Sequence, residues 1–330
     1  EIYDSSVLEK INGLAFIDED GKYVQTAIRK GQKKLDDFPM INWEYFDVEN
    51  YILKGSQAAL DIGSKEVIRA MPLITARGCV FRCTFCHFVF VDDPYRYRSP
   101  SNIVDEIRRD IDKYNINYFH FWDDLSFASL NQVERLVDAI LESGLKFYWA
   151  ASIRTDLFGN PKHSYEKRFK LAEKCKEAGC VGMGFSLESG NQEILDMMEK
   201  HVKVEYFKDQ TELLAKVGII SQTSIVFGYP METKETIKET FEMCSQANVY
   251  PSIGFLLPLP KTPMYEYAKD HGFIGDEDKF LDSITERQDI CINMTKIPED
   301  EVMKIILEEA EELQGKLDLK LKNPIRTGGY

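Results

Sequence analysis

From Met71 to Leu257 the chain repeats one pattern: a short apolar run, a polar loop, then a segment with apolar residues three and four apart. The runs "MPLIT", "YFHFW", "FYWAAS", "VGMGFS", "TSIVFG" and "SIGFLL" have the length and the β-branched or aromatic content of strands. Between them, "SPSNIVDEIRRDIDKY", "SLNQVERLVDAILESG", "SYEKRFKLAEKCKEAG", "VEYFKDQTELLAKVG" and "TKETIKETFEMCSQAN" read as amphipathic helices, several opened by Ser or Thr and closed by Gly. Alternating strands and helices imply parallel strands joined by right-handed crossovers, since each helix must cover a sheet face while returning the chain to the same end. The prediction is an α/β fold, either an open doubly wound sheet or a partial (β/α)6 barrel, and six units favour the barrel. "TARGCVFRC" after the first strand has the wrong spacing and chemistry for a dinucleotide fingerprint, which removes the Rossmann alternative.

Three parts follow: an N-terminal hairpin and connector over 1–69, the partial barrel over 70–272 and a C-terminal helical extension over 273–330. "GLAFI" and "KYVQT" flank the turn "DEDG" as a β-hairpin. "KKLDDFPMINWEYFDVENYI" mixes Pro, acids and aromatics without a period and reads as an extended, packed connector. "PEDEVMKIILEEAEELQGKLDLKLK" is a charged amphipathic helix outside the repeat. The first residue is Glu1, and the sequence enters as though within a structure, which suggests an N-terminal truncation.

Charge narrows the partners. Lys and Arg total 41 against 55 Asp and Glu, a net charge of −14, which argues against a phosphate-tracking surface for nucleic acid or anionic lipid and for a small or neutral partner. No apolar run approaches the roughly 20 residues of a membrane span. The seven cysteines form no small-scaffold framework and suggest reduced thiols in a cytoplasmic setting.

Only Cys79, Cys83 and Cys86 cluster, as CxxxCxxC in "RGCVFRCTFCHF". The loop follows the first strand and so lies at the carboxyl end of the parallel strands, where such folds build their sites. Three close thiolates call for a cation. A zinc site wants four ligands, and His87 beside Cys86 would complete Cys3His only with difficult geometry. A cubic 4Fe-4S cluster normally takes four thiolates as well, so three would leave one iron open for chemistry.

CxxxCxxC with Phe85 just before its last cysteine, on the first βα loop of a six-unit barrel, resembles the radical S-adenosylmethionine (radical SAM) superfamily. "YRYRSPSNIVDEI", "FHFWDDLSF", "GMGFSLESGNQEILDMMEKH", "FGYPMETKETIKET" and "PLPKTPMYEYAKDHG" resemble that family's strand-end segments in order and spacing, so the likeness runs from about Ile11 to Gly272. The resemblance implies a 4Fe-4S cluster on Cys79, Cys83 and Cys86, and SAM chelating the fourth iron through its amino and carboxylate groups. Reductive cleavage of SAM to a 5′-deoxyadenosyl radical would follow, fed by a low-potential donor of flavodoxin or ferredoxin type. The substrate would be a small molecule, lipid-like compound or natural product.

It also implies SAM-binding positions, each with a plainer alternative. Asp123 or Asp124 would receive the ammonium of SAM, or else cap the next helix. Ser152 and Arg154 end the third strand, and Arg154 could meet a carboxylate through its bidentate fork or be a surface charge. Ser186 and Glu188 would reach the ribose hydroxyls, or Glu188 would cap the helix from Asn191. Gly228 would let a flat ring lie against backbone, or simply make a turn. Cys175, Cys180, Cys244 and Cys291 read as packing cysteines, and His120 as a satisfied strand histidine. The absence of a second cysteine set argues against the methylthio-transferring and twitch-cluster branches.

"INGLAFIDEDGKYV" followed by "LDDFPMINWEYFDVENY" resembles the connector that, in one large branch, joins an N-terminal cobalamin-binding domain to the barrel. No Asp-x-His-x-x-Gly fingerprint occurs in these residues, so cobalamin, and methyl transfer through it, would depend on an upstream domain; the alternatives are cyclisation or rearrangement without methyl transfer, and, from another class, a zinc-stabilised barrel acting as a non-catalytic binding module. Lys261 in "PLPKTP" departs from the glycine common in relatives and bears on the loop after the sixth strand.

Overall fold

The computed structural model describes residues 4–29, 31–63, 65–87, 94–321 and 323–325. Strands β1 (Ala15–Ile17) and β2 (Tyr23–Gln25) pair antiparallel as the expected hairpin. The barrel strands are β3 (Ala70–Leu73), β6 (Tyr118–Phe121), β7 (Tyr148–Ser152), β8 (Cys180–Gly184), β9 (Ile220–Phe227) and β10 (Pro251–Phe255), with the two-residue β4 (Ala76–Arg77) and β5 (Arg96–Tyr97) between β3 and β6. The six form one all-parallel sheet in the order β10-β9-β8-β7-β6-β3, the partial barrel expected from the alternation.

Helix boundaries follow from local chemistry. Ser99, Ser129, Ser164 and Thr233 each accept a backbone N–H in the first turn of the helices Pro100–Tyr114, Leu130–Ser143, Tyr165–Glu177 and Lys234–Gln246, satisfying donors that the helix itself leaves free. Gly144 at φ +69° ends the second of them.

Alternate residues of each strand serve two different interiors. Met71, Phe119, Phe121, Trp149, Met183, Ile225 and Phe227 join helix residues such as Ile107, Val137, Phe207 and Phe241 in the main core. Phe121 and Trp149 stack with ring centroids 5.0 Å apart, and the Trp149 indole donates to the Ala178 carbonyl (2.9 Å). The opposite face carries smaller and more polar residues. At its lower end Ala70, Tyr118, Ala150 and Val181 pack with Ala59, Leu60, Ile62 and Ile68, so the segment before β3 plugs the barrel. Gly182 makes room for that plug: a Cβ there would stand 2.2 Å from Cδ1 of Leu60.

The connector differs from its predicted extended form. Short 3-10 turns occur at Leu35–Asp37 and Trp43–Tyr45, and Val48–Gln57 is an α-helix. Asp47 caps it, Ile52 buries one face beside β3, and the Ser56 hydroxyl accepts the Ala70 N–H (3.1 Å). The helix escaped a periodic reading because Gly55 and Ser56 interrupt a short apolar stripe, while docking on β3 supplies the stability that propensity lacks. At the other end of the chain, Glu299–Lys316 is helical and buries Val302, Ile305, Ile306, Ala310 and Leu313 in the main core, with Lys238–Glu309 at 3.8 Å along its seam with Lys234–Gln246. Lys261 sits at φ +69°, so this lysine occupies the left-handed conformation for which glycine is the easy choice. Among the described residues no helix is long and apolar enough to cross a membrane.

Candidate active site

The loop bearing Cys79, Cys83 and Cys86 leaves β3 and is pinched at its base by the antiparallel pairing of β4 with β5, Ala76 opposite Tyr97 and Arg77 opposite Arg96. Asp123, just past β6, braces the same base. Its Oδ1 accepts the N–H groups of Thr75 (2.8 Å) and Ala76 (3.0 Å), and its Oδ2 accepts the Thr75 hydroxyl (2.5 Å). Burial pushes the Asp123 carboxyl up, and these hydrogen bonds pull it back toward the ionised form.

Thr84, between the second and third cysteines, fastens the loop on its other side. Its N–H donates to the Met198 carbonyl (2.9 Å), its hydroxyl donates to the Met197 carbonyl (3.2 Å), and its own carbonyl accepts the Met264 N–H (3.2 Å). The loop is thereby tied to the end of helix Gln192–Met197 and to the start of helix Pro263–Asp270. Phe85 meets the fully buried ring of Tyr229 edge-on at 6.3 Å, and Tyr229 follows Gly228, whose φ of +105° turns the chain at the end of β9. Sequence reading found Phe85 and Gly228 but not Thr84 or Tyr229.

Asp123, which braces the base of this loop, also lines a cavity of about 340 Å³ built from the strands and their ends, to which none of the three cysteines contributes. The cavity gathers Asp123, Asp124, Ser152 and Ser186 from the predicted set and adds His120, Trp122, Gln222 and Ser224. Asp124 is exposed where Asp123 is buried, and burial pushes its carboxyl up while the nearby His87 opposes that. The Ser186 and Ser224 hydroxyls stand 2.7 Å apart. His120 approaches the Gly55 carbonyl at 3.2 Å and stacks on Trp122, consistent with the strand-histidine reading. Neither aspartate caps the following helix, since Ser129 does.

Arg154 and Glu188 are not among the residues lining that cavity. The Arg154 guanidinium lies 3.3 Å over the Phe81 ring, donates to Asp156 (3.0 Å) and to the Lys200 carbonyl (2.6 Å), and is therefore not a surface charge. Glu188 bonds Lys200 at 2.9 Å, with both side chains only 9% exposed. The helix-cap alternative for Glu188 falls away, because Asn191 itself accepts the Ile194 N–H (3.2 Å). Lys200 was missed: it occupies the aperiodic "MEKH" after a short helix, where neither spacing nor composition distinguishes it from a solvated lysine.

The donor set suits an iron–sulfur cluster. All seven cysteines are free; Cys79, Cys83 and Cys86 are half-buried on one braced loop, whereas Cys175, Cys180 and Cys244 are fully buried, with thiols pushed up by that burial. Among the described residues no group of three or more His, Cys, Asp or Glu is arranged to hold a single metal ion. Thiolates of a cubic cluster bind different irons and need not converge on one point. Burial pushes the Cys83 thiol up, while Lys200 and Arg154 favour its thiolate.

A braced three-cysteine loop at the open end of a six-stranded parallel barrel defines the class, and the sequence agrees with it. The radical SAM superfamily signature matches residues 73–244, and the chain belongs to that superfamily, which uses a 4Fe-4S cluster and SAM. It is 29% identical over 283 residues to the anaerobic magnesium-protoporphyrin IX monomethyl ester cyclase of Cereibacter sphaeroides, covering 82% of this chain and 42% of that one. It is 25% identical over 301 residues to the cytidylyl-2-hydroxyethylphosphonate methyltransferase of Streptomyces wedmorensis, covering 82% and 54%. The chain thus spans about half the length of these curated relatives. In fold it resembles the cobalamin-dependent SAM radical enzyme OxsB, solved with aqua-cobalamin and SAM, at a TM-score of 0.59 and 18% identity, over 95% of this chain and 42% of that one.

Proposed function

We propose that this chain is the catalytic barrel of a radical SAM enzyme acting on a carbon centre of a small molecule, lipid-like compound or natural product. The reading rests above all on the cysteine loop being held from both sides, by Thr84 at its tip and, at its base, by Asp123, which also lines the polar cavity. Cys79, Cys83 and Cys86 hold the 4Fe-4S cluster. When bound there, the cluster would supply one electron, taken from a flavodoxin- or ferredoxin-type donor, for the reductive cleavage of SAM to methionine and a 5′-deoxyadenosyl radical.

The remaining work belongs to the side chains. Asp124 accepts from the N–H groups of the SAM amino group, because Asp123 spends its oxygens on Thr75 and Ala76. Ser152, Ser186 and Ser224 offer hydroxyls toward the sugar and methionine portions from the cavity wall, and Glu188, outside that lining with one oxygen on Lys200, accepts from the ribose with the other. Arg154 lends positive charge for the SAM carboxylate from its place over Phe81. Phe85 and Gly228 shape the apolar wall at Tyr229. Seven free thiols fit a reducing, cytoplasmic setting.

Methyl transfer assisted by cobalamin from another domain is the reading we favour for the later step, supported by the methyltransferase relative and by the fold of OxsB. Cyclisation without methyl transfer is the second reading, favoured by the cyclase relative. Anaerobic reconstitution followed by an assay for 5′-deoxyadenosine tests the class. The wild-type chain should make it and Cys83→Ala should not, while Cys175→Ala should retain iron, sulfide and activity; product formation by Cys83→Ala would falsify the assignment. Transfer of a deuterated methyl group from SAM, with and without added cobalamin, separates the two later steps.

A further inference from the structure

Lys200 sits at the meeting point of the three parts of the site. Its ammonium holds Glu188 at 2.9 Å, its carbonyl accepts Arg154 at 2.6 Å, and the residues just before it, Met197 and Met198, accept from Thr84 of the cysteine loop. Backbone conformation around the pair is unusual. Glu188 at φ +64°, and Glu199 and His201 at +50° and +54° on either side of Lys200, are all in the left-handed region that non-glycine residues rarely adopt. Such conformations persist where the surroundings over-determine them, and they gather at functional sites. Here they coincide with a buried ion pair, and replacing such a pair by apolar residues commonly costs no stability, so stability alone is a weak account of it.

We propose that Lys200 is a positioning residue of the SAM and cluster site: it orients the Glu188 carboxylate for the ribose and holds a buried positive charge beside the loop of Cys83. The inference rests on the cluster assignment made above. Its physical content is electrostatic. A buried cation close to a cluster stabilises the more negative, reduced state, whereas a buried anion opposes it, and the low dielectric of the interior strengthens both effects. Lys200 and Glu188 therefore act on the cluster with opposite signs.

The test measures the midpoint potential of the reconstituted 4Fe-4S cluster by redox titration followed by electron paramagnetic resonance, together with the SAM dissociation constant by equilibrium dialysis. Lys200→Met should lower the potential, a tenfold shift in the reduction equilibrium corresponding to about 59 mV for one electron. Glu188→Gln should raise it, and both should weaken SAM about tenfold. Lys200→Arg keeps the charge and should keep the wild-type potential. Shifts of the same sign in Lys200→Met and Glu188→Gln, or no shift in either, would overturn the proposal. If Lys200→Met takes up no cluster, Lys200→Arg decides: a normal cluster at the wild-type potential supports the role of charge, and loss of the cluster there too refutes it. A wild-type chain that takes up no cluster would sink the functional reading itself, whereas a loaded wild type with indifferent Lys200 variants would sink this inference alone.

Discussion

The two ends of the barrel are built from the same strands yet handle their inward residues in opposite ways. At the lower end, Ala70, Tyr118, Ala150 and Val181 close on Leu60 and its neighbours, and Gly182 gives up a side chain so that Leu60 can enter. At the upper end the inward positions carry His120, Ser152, Ser186, Gln222 and Ser224 around a cavity. Apolar closure depends on shape and adapts to many residues, whereas a polar rim leaves hydrogen-bonding groups for something else to satisfy. The difference separates residues that maintain the barrel from residues free to meet a ligand, and it cuts through the adjacent pair Asp123 and Asp124.

Asp123 belongs with the architecture, although it sits at the functional end. Replacing it by Ala strands the N–H groups of Thr75 and Ala76 and should destabilise the chain by roughly 3–5 kcal/mol, since each bond to a charged acceptor contributes roughly 1.5–3 kcal/mol. Denaturant unfolding of the cluster-free protein measures this, and an unchanged midpoint would show that the bracing is dispensable. A smaller cost is expected at the closed end. Gly182→Val should destabilise by about 1–3 kcal/mol through overpacking against Leu60, and adding Leu60→Ala should recover part of it because the two side chains compete for one space. SAM affinity of the folded fraction should not change, and a loss there would connect the lower end to the site. The smallest effect is at Asp124. Asp124→Asn should leave unfolding unaltered while weakening SAM about tenfold, about 1.4 kcal/mol; unaltered binding would return the amino group to another acceptor.

Much of this was legible because strand and helix periods are local. "YFHFW", "FYWAAS" and "TSIVFG" announced β6, β7 and β9 within a few residues, and the Ser and Thr caps marked the helices. The helix Val48–Gln57 was not legible, because its stability comes from docking on β3. Lys200 was hidden for a related reason. Its meaning lies in a partner twelve residues earlier and in the carbonyl it presents to Arg154, contacts that no spacing rule records. Arg154 was found as a chemical type, yet two of its neighbours, the Phe81 ring and the Lys200 carbonyl, come from distant segments and are set by tertiary packing.

By itself the sequence determined the alternation that requires parallel strands, the placement of three cysteines at the carboxyl end of the first strand, and the supply of carboxylates, serines and an arginine at the later strand ends. Periodicity and motif spacing are properties of the chain, so they can be read along it. Tertiary structure decided which of those groups are already engaged. Asp123 is bound to backbone and Glu188 to Lys200, while Asp124 stands exposed at the cavity, and the reason is physical: a buried polar group must find a partner, and which partner lies within reach depends on how distant segments pack.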